Sequence, residues 1–444
     1  MESENENVMK KKDIASYGGT ETESTVEDKE LDLYSVYELV GLGNAQYLYW
    51  VTVFLASSSI NCEFLSLPVA LSSQRCEWSL FAMFEVLIVS LPLVSFGLSS
   101  AVFGKISDRY GRKPVLICAQ SHIFILVVGC TVSPTKWFFL TINLAIGAVA
   151  GIGMCPLFCY GAEFAPNKYR EYGVISLLAG YEVGLVAIDG LGLLLLRSAG
   201  WRLFMVMMTS PALLALILLI ALPASPRYLL VIGQPAKAMR SIRWIACLNK
   251  VSLPENIRLV CFDSEQTVLG SYTTLLSASH RGTVRALCIL VSCTLFVQFG
   301  LTFFLHLLFP SDYCGVSLPL SHLGCFDLRL QDFLKLTITA LFGSSGTVVA
   351  SLIAVRVGRL IPLRVGYAIL TVTLGALCEC VCLNGEVTFA TTMVIKTSLG
   401  FVQAIIWIII PECFQTIIRT TAAGIILATG KLGGTLGIGC VHLI

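Results

Sequence analysis

Charged side chains are scarce in this sequence. Lysine, arginine, aspartate and glutamate make up 13% of its 444 residues, whereas hydrophobic residues make up 56% and the mean hydropathy is +0.80. A water-soluble domain carries about 25% charged residues, so the composition excludes a soluble globular chain and indicates that a lipid bilayer surrounds most of it. The net charge is only +2, and no basic patch typical of nucleic-acid binding occurs, so no nucleic-acid partner is expected.

Several catalytic and metal-binding patterns are also missing. The sequence contains no phosphate-binding glycine loop of an ATP-driven pump, no catalytic triad pattern and no zinc-ligand spacing. We therefore expect neither an enzyme nor a cofactor. Most of the seventeen cysteines lie singly inside apolar runs, where cysteine behaves as a small hydrophobic residue. Cys76, Cys314 and Cys325 fall in predicted outer loops, and a Cys314–Cys325 disulfide and two free thiols both remain open.

The amino-terminal segment has no apolar run. Residues 1–34 are polar and rich in acidic side chains, so they predict a disordered cytosolic tail and no cleavable signal peptide.

Eleven apolar stretches follow this tail. A helix that spans a membrane needs about 20 apolar residues. The predicted helices cover residues 47–71, 82–103, 114–133, 137–160, 172–196, 203–223, 284–309, 333–355, 362–383, 387–410 and 421–443. The loops after the even-numbered helices carry most of the lysine and arginine, which places the amino terminus in the cytosol.

Two charged patterns recur along the chain at nearly the same offset. An Arg-x-Gly-Arg pattern repeats after 247 residues, and a Glu-x6-Arg pattern repeats after 249. The repeated positions are Arg109 and Arg112 with Arg356 and Arg359, and Glu163 and Arg170 with Glu412 and Arg419. A shared offset indicates two parallel halves: a first bundle at 35–223, a cytosolic central loop at 224–283 and a second bundle at 284–444.

The second half ends at Ile444, after its fifth helix. The twelfth helix that two six-helix halves would contain is therefore missing. An incomplete gene product and a genuine short isoform with its carboxyl terminus outside both remain open.

The loop Gly104–Lys113, GKISDRYGRK, combines basic residues with a single aspartate. Mixed charges on one membrane face can pair when a gate closes and separate when it opens. The predicted gating residues are Asp108, Arg109, Arg112, Glu163, Arg170, Arg359, Glu412 and Arg419. The alternative is that these charges only determine the topology.

Ionisable residues inside predicted spans are costly to bury and are therefore candidates for function. Glu182 and Lys396 lie about ten residues into the fifth and tenth helices, so they have similar depth in opposite halves. With Glu63 and Asp189 they form the predicted solute or ion cavity, in which a carboxyl group could carry a proton. The alternative for each is a structural salt bridge or a position at the membrane boundary.

The Gly104–Lys113 pattern, with glycines, the aspartate and three basic residues at these spacings, resembles the signature loop of the major facilitator transporters. The segment Ala221–Ala238 resembles a loop of the organic-ion and synaptic-vesicle-type transporters, and Cys76-Glu77-Trp78 resembles the synaptic vesicle 2-related proteins. The resemblance implies an all-α membrane protein with two pseudo-symmetric helix bundles around a central cavity, of which about eleven helices are present.

The function that this resemblance implies is secondary-active or facilitative transport of a small organic ion or solute by alternating access, with or without coupling to a proton or another ion. The alternative is a transporter-like protein that does not transport and serves vesicle trafficking or scaffolding. The membrane would be the plasma membrane or an intracellular vesicle membrane.

The sequence departs from this family at four positions. The family's basic residue in the fourth helix falls at Asn143 or Leu144, Val355 and Ala224 replace acidic residues, and Lys396 stands where arginine is usual. The substrate of the family therefore cannot be carried over.

Overall fold

A computed structural model of the chain describes residues 29–254, 257–259, 272–275, 277–308, 330–380, 385–414 and 418–443. Eleven helices in these ranges are long and apolar enough to cross a membrane, which confirms the predicted number of spans. We number them span 1 to span 11. Their bounds are Asn44–Trp78, Ala82–Tyr110, Arg112–Thr131, Lys136–Tyr160, Glu171–Leu195, Gly200–Ala221, Ala278–Leu308, Leu330–Val357, Leu360–Cys380, Gly385–Glu412 and Arg419–Leu443.

Several spans extend beyond the apolar runs that predicted them. Span 1 ends at Trp78 rather than at residue 71, so Cys76 lies in the last turns of a helix and not in an outer loop. Polar partners stabilise this extension, because Arg75 forms an ion pair of 2.5 Å with Glu85 and Glu77 accepts a hydrogen bond of 2.8 Å from the Trp201 indole. Span 7 likewise begins at residue 278, inside the predicted central loop 224–283.

The predicted disordered tail is too long. Strand β1, Lys29–Leu31, pairs in parallel with strand β2, Ile257–Leu259, and a helix follows at Leu33–Val40. Backbone pairing with β2 and the buried side chains of this helix hold residues 29–34 in place. Residues 1–28 lie outside the described part of the chain, as do Cys314 and Cys325.

We group the spans into the two bundles that the repeat predicts. Spans 1–6 form the first bundle and spans 7–11 form the second. Span 6 is interrupted at Thr209, between the helices Gly200–Met208 and Ser210–Ala221. Proline at position 211 cannot donate a backbone hydrogen bond, and this explains the break.

The bundles contact each other along spans 2 and 11 and along spans 5 and 8. Spans 2 and 11 approach closely because small residues meet there: a β-carbon on Gly104 would lie 2.6 Å from the Thr420 carbonyl oxygen. Such small residues allow close helix contact inside membranes.

The loops after spans 2, 4, 6, 8 and 10 lie on one side of the molecule, because contacts connect their ends: Lys113 donates to the Leu222 carbonyl, Arg112 pairs with Glu163, and Arg359 pairs with Glu171 and Glu412. We call this side the basic face. The helices Pro226–Val231 and Pro235–Leu248 lie there and attach to the start of span 1, where the Asn249 side chain accepts a hydrogen bond of 2.9 Å from the Ala45 amide.

Candidate functional site

A cavity of about 40 Å³ lies between the two bundles. Both halves line it, with spans 1 and 5 on one side and spans 7, 8 and 10 on the other. Three of the four predicted intramembrane residues are among its lining residues: Glu182, Asp189 and Lys396. Glu182 and Lys396, which were predicted to have similar depth, therefore also face one space, and Asp189 joins them there.

The side chain of Glu182, a residue of the first bundle, contacts the second bundle. Its carboxylate accepts hydrogen bonds from the Thr347 hydroxyl at 2.6 Å and from the Ser344 hydroxyl at 3.1 Å. Both hydroxyls belong to span 8, so this acid connects the halves through hydrogen bonds to neutral groups.

Lys396 lies on the opposite wall of the cavity. Its ammonium donates a hydrogen bond of 2.8 Å to the Thr302 hydroxyl, and the charges of Asp189 and Glu182 both act on it. No carboxylate in the described ranges lies within 4.0 Å of this ammonium. The two acids and the base therefore share a polar space without forming a closed ion pair.

His306 adds a titratable group that sequence reasoning missed. One ring nitrogen lies 2.7 Å from the Thr302 carbonyl oxygen, and the other is buried without a hydrogen-bond partner among the described residues. Its position near the carboxyl end of a predicted span gave no clear signal, because histidines at helix ends usually lie at the membrane boundary.

Glu63 lies apart from these residues. It is buried within the first bundle near Thr209, at the break in span 6, but neither its carboxylate oxygens nor the Thr209 hydroxyl has a hydrogen-bond partner among the described residues. It is not among the residues that line the cavity within the described part of the chain. Its depth along span 1 therefore did not reveal the direction of its side chain.

Lys431 is a second residue that the sequence analysis missed. This buried lysine of span 11 lies among three phenylalanine rings, with its ammonium 4.5 Å from the ring centre of Phe96 and 4.7 Å from that of Phe299. The third ring, Phe64, is at 5.5 Å. Attraction to aromatic faces stabilises a desolvated ammonium. The sequence did contain a signal for this residue, because Lys431 is an ionisable residue about twelve positions into span 11.

The predicted gate in the first half has two kinds of contact. Arg112 forms an ion pair with Glu163 inside the first bundle, and both side chains are buried. Asp108 instead reaches the second bundle, where it accepts hydrogen bonds from the Thr421 amide at 3.2 Å and from the Thr421 hydroxyl at 3.0 Å. Asp108 also lies 3.6 Å from Arg112, so it connects Thr421 of the second bundle to the ion pair between Arg112 and Glu163.

The gate in the second half centres on Arg359. This guanidinium forms an ion pair with Glu412 of its own half and one of 2.7 Å with Glu171 of the first half. Glu171 was not predicted, although its position one residue after Arg170 was a signal. The pairing of Arg359 with Glu412 follows the repeat that the sequence indicated.

The other three predicted gating residues take different positions. The Arg109 side chain is exposed, and its backbone carbonyl accepts a hydrogen bond of 3.1 Å from the Tyr228 hydroxyl. Arg170 does not pair with Glu163 but stacks on Tyr34. Arg419 donates a hydrogen bond of 3.2 Å to the Phe414 carbonyl.

Two of these contacts connect the halves on the basic face: Asp108 with Thr421, and Glu171 with Arg359. The cavity volume of about 40 Å³ is small, on the order of a few water molecules. Within the described residues, no three histidine, cysteine or acidic side chains are grouped to bind a metal.

Known proteins resemble this chain over most of its length. The sequence profile described as "Sugar (and other) transporter" matches residues 49–441. The synaptic vesicle 2-related protein of Xenopus laevis is 26% identical over 408 residues, which are 90% of this chain and 73% of that protein. Organic cation/carnitine transporter 7 of Arabidopsis thaliana is 23% identical over 448 residues, with coverage of 91% and 88%.

Solved structures show the same fold. The proton:xylose symporter XylE bound to 6-bromo-6-deoxy-D-glucose superposes with a TM-score of 0.65 at 18% identity, over 91% of this chain and 88% of that one. A partially occluded inward-open conformation of XylE from E. coli gives a TM-score of 0.62 at 15% identity, with coverage of 90% and 97%.

Proposed function

Because this chain belongs to the sugar (and other) transporter family of the major facilitator superfamily, we propose that it carries a small organic ion or polar solute across its membrane by alternating access. The cavity between the bundles carries this proposal. It is lined from both halves by Glu182, Asp189 and Lys396, so a solute bound there would contact both moving bodies.

The lining supports a solute with polar or charged groups. Two carboxyl groups, one ammonium and the side chain of His306 surround a space that contains hydroxyl donors as well. Buried ionisable groups of this kind are stable when a ligand or an oppositely charged neighbour compensates their charge. The proteins that resemble this chain include an organic cation/carnitine transporter and a proton:xylose symporter, which supports organic solutes as the class and a proton as one coupling ion.

The contacts on the basic face support the alternating-access step. In the closed state Asp108 and Arg359 attach the first bundle to the second. Opening toward the basic face would break these contacts and release Glu182 from Thr347. A solute that replaces the Thr347 hydroxyl at Glu182 would lower the cost of that step.

Lysine, arginine and the polar tail at the basic face support a cytosolic position for that face. We place the chain in the plasma membrane or in a vesicle membrane. In the closed state, a solute would reach the cavity from the side opposite the basic face.

A test of this function uses purified protein in sealed proteoliposomes. Counterflow of labelled sugars, organic cations and organic anions identifies the transported class. With that solute, we expect Lys396→Leu to abolish uptake or change its selectivity while the protein still inserts, because the substitution removes the only lysine ammonium among the lining residues.

Lys237→Leu is the matched control, since it deletes the same charge from the exposed side of a helix on the basic face. Normal uptake by Lys396→Leu would contradict the proposed cavity. A folded protein that takes up no member of the three classes would favour a role without transport.

A further inference from the structure

Three arginines from separate segments meet around Tyr34 on the basic face. Arg170 precedes span 5, Arg227 begins the helix Pro226–Val231, and Arg419 begins span 11. We call these three residues, together with Tyr34 and Tyr37 of the helix Leu33–Val40, the arginine cluster. It lies beside the gate but is not part of the pairs that close it.

The two tyrosines organise the cluster. The guanidinium carbons of Arg170 and Arg227 lie 5.0 Å and 5.1 Å from the centre of the Tyr34 ring. Tyr34 is 39% exposed, so solvent reaches the cluster, whereas Tyr37 is 1% exposed beneath it. The charges of Arg227 and Arg170 act on the Tyr37 hydroxyl.

The cluster concentrates positive charge. Burial, followed by the charge of Arg227, lowers the pKa of Arg170, and Arg419 adds a further repulsion. Arg419 also lies within electrostatic range of Arg227 and Arg112. Each acid of the neighbouring gate already contacts another group through one oxygen, because Glu163 pairs with Arg112 and Asp108 binds Thr421, while the second oxygen of each has no hydrogen-bond partner among the described residues.

Two buried donors in the cluster lack an acceptor. The Tyr37 hydroxyl and the Nε of Arg170 have no hydrogen-bond partner among the residues that the structure describes. A buried donor without an acceptor costs about 1–3 kcal/mol. An anion that accepted from both would remove this cost and reduce the repulsion between the arginines.

We propose that the arginine cluster binds a phosphate-type anion. A phosphate has several acceptor oxygens in a tetrahedral arrangement, so one group can accept from Arg170 Nε, from the Tyr37 hydroxyl and from the guanidinium of Arg419. Guanidinium groups bind phosphate with paired hydrogen bonds. A phosphate monoester also carries nearly two negative charges near pH 7, which suits the pair Arg170 and Arg419 better than a single carboxylate does.

Such an anion would act on the gate. Arg170 belongs to the first bundle and Arg419 to the second, so a group bound to both would stabilise the state in which the basic face is closed. The phosphate could come from the headgroup of a phospholipid or from a soluble phosphate compound, and both sources offer the same chemistry to the cluster.

The test measures thermal unfolding and does not depend on a transported solute. Purified protein in detergent is titrated with inorganic phosphate against chloride at equal ionic strength. In parallel, the protein is reconstituted in nanodiscs of phosphatidylcholine with or without phosphatidic acid. We expect saturable stabilisation by phosphate if the source is soluble, or stabilisation only by phosphatidic acid if the source is a lipid headgroup.

Three variants assign the effect to the cluster. Tyr37→Phe removes only a hydroxyl and should weaken the apparent affinity about tenfold, since hydrogen bonds to charged groups are strong. Arg170→Gln should weaken it further, and Tyr37→Phe keeps the test valid if Arg170→Gln does not fold. Arg240→Gln, which deletes an exposed charge elsewhere on the basic face, should retain the full effect.

Two results would overturn the proposal. The first is no stabilisation by phosphate beyond that of chloride together with none by phosphatidic acid. The second is a stabilisation of equal size in the wild type, in Tyr37→Phe and in Arg170→Gln, which would indicate general screening of positive charge.

Discussion

Glu182 joins the two halves at the level of the cavity through hydroxyl groups and not through a salt bridge. Its carboxylate accepts from Thr347 and Ser344 of span 8, while the nearest base of the opposite wall, Lys396, is bound to Thr302. Hydroxyl donors can rotate and can also accept a hydrogen bond. The contact can therefore persist whether or not this carboxyl group carries a proton, which suits a group that binds and releases one during transport.

This geometry gives a prediction for Glu182→Gln. The glutamine amide can still exchange hydrogen bonds with both hydroxyls, but it cannot titrate. If Glu182 carries the coupling proton, the uptake of the identified solute loses its dependence on pH, while solute binding is retained. Asp189→Asn is the matched control, because it neutralises the neighbouring acid of the same span and the same cavity. A pH profile in Glu182→Gln like that of the wild type would exclude this role.

At the residue scale the sequence predicts which ionisable groups are buried, but not the direction in which they face. Apolar surroundings and distance from the helix end marked Glu182, Asp189 and Lys396 as intramembrane residues, and the structure brings these three together around one cavity. The same reasoning could not separate them from Glu63, which faces Thr209 inside the first bundle. Helix packing fixes that direction, and one sequence carries little information about it when a helix is apolar on every side.

At the scale of elements, spans 2 and 11 form the contact that has to separate under the proposed alternating-access mechanism. Asp108 of span 2 accepts from the backbone amide and the hydroxyl of Thr421 in span 11, and glycines on both spans allow this approach. Arg112, one turn further along, instead pairs with Glu163 within the first bundle. The loop Gly104–Lys113 therefore combines a contact between the two bundles with one inside the first bundle, and under the proposed mechanism only the first of these would change during transport.

These two contacts predict different phenotypes for neighbouring substitutions. Arg112→Ala leaves Glu163 buried without its partner, and breaking a buried pair costs about 3–5 kcal/mol, so the melting temperature and the abundance should fall. Asp108→Asn should cost less stability and alter the uptake rate, because Arg112 keeps Glu163 as its partner and only the contacts of Asp108 with Thr421 and Arg112 become weaker. Thermal unfolding and uptake are measured on both variants.

The double variant Arg112→Leu with Glu163→Leu provides the control for this comparison. Replacing both members of a buried pair by apolar residues is often close to neutral, so it should recover much of the stability lost in Arg112→Ala. Equal losses of stability in Asp108→Asn and Arg112→Ala would contradict the separation of roles.

The existence of these elements was predictable, and their ends and partners were less so. Apolar runs identified all eleven spans, because a helix of about 20 apolar residues has few other environments. The polar last turns of span 1 were missed, since Arg75 and Glu77 resemble loop residues until Glu85 and Trp201 are seen beside them. Pairing between Glu171 and Arg359 depends on how the halves meet, which no local pattern encodes.

At the scale of the whole molecule, the repeat offset predicts two parallel bundles. In the structure, the two halves contribute different residues to the contacts between them on the basic face. On the basic face the first half contributes Asp108, whereas the corresponding position in the second half is Val355. The second half connects through Arg359 to Glu171 instead. Two different connections between the halves on one face replace the symmetric pair that an exact repeat would have.

The orientation of the entire assembly follows from the charge of its loops and can be tested directly. Lysine and arginine concentrate in loops of the basic face, and translocation across a membrane disfavours such loops. We predict that an epitope at residue 1 is reached by antibody only after the membrane of an expressing cell is permeabilised. An epitope in the 310–331 loop between spans 7 and 8 should be accessible without permeabilisation at the plasma membrane, or protected inside vesicles isolated from the cell. An exposed tag inserted after Lys237, on the helix Pro235–Leu248, should behave like the tag at residue 1. If the tags at residue 1 and at 310–331 are reached from the same side, the alternation of the spans and the proposed cytosolic position of the basic face are both wrong.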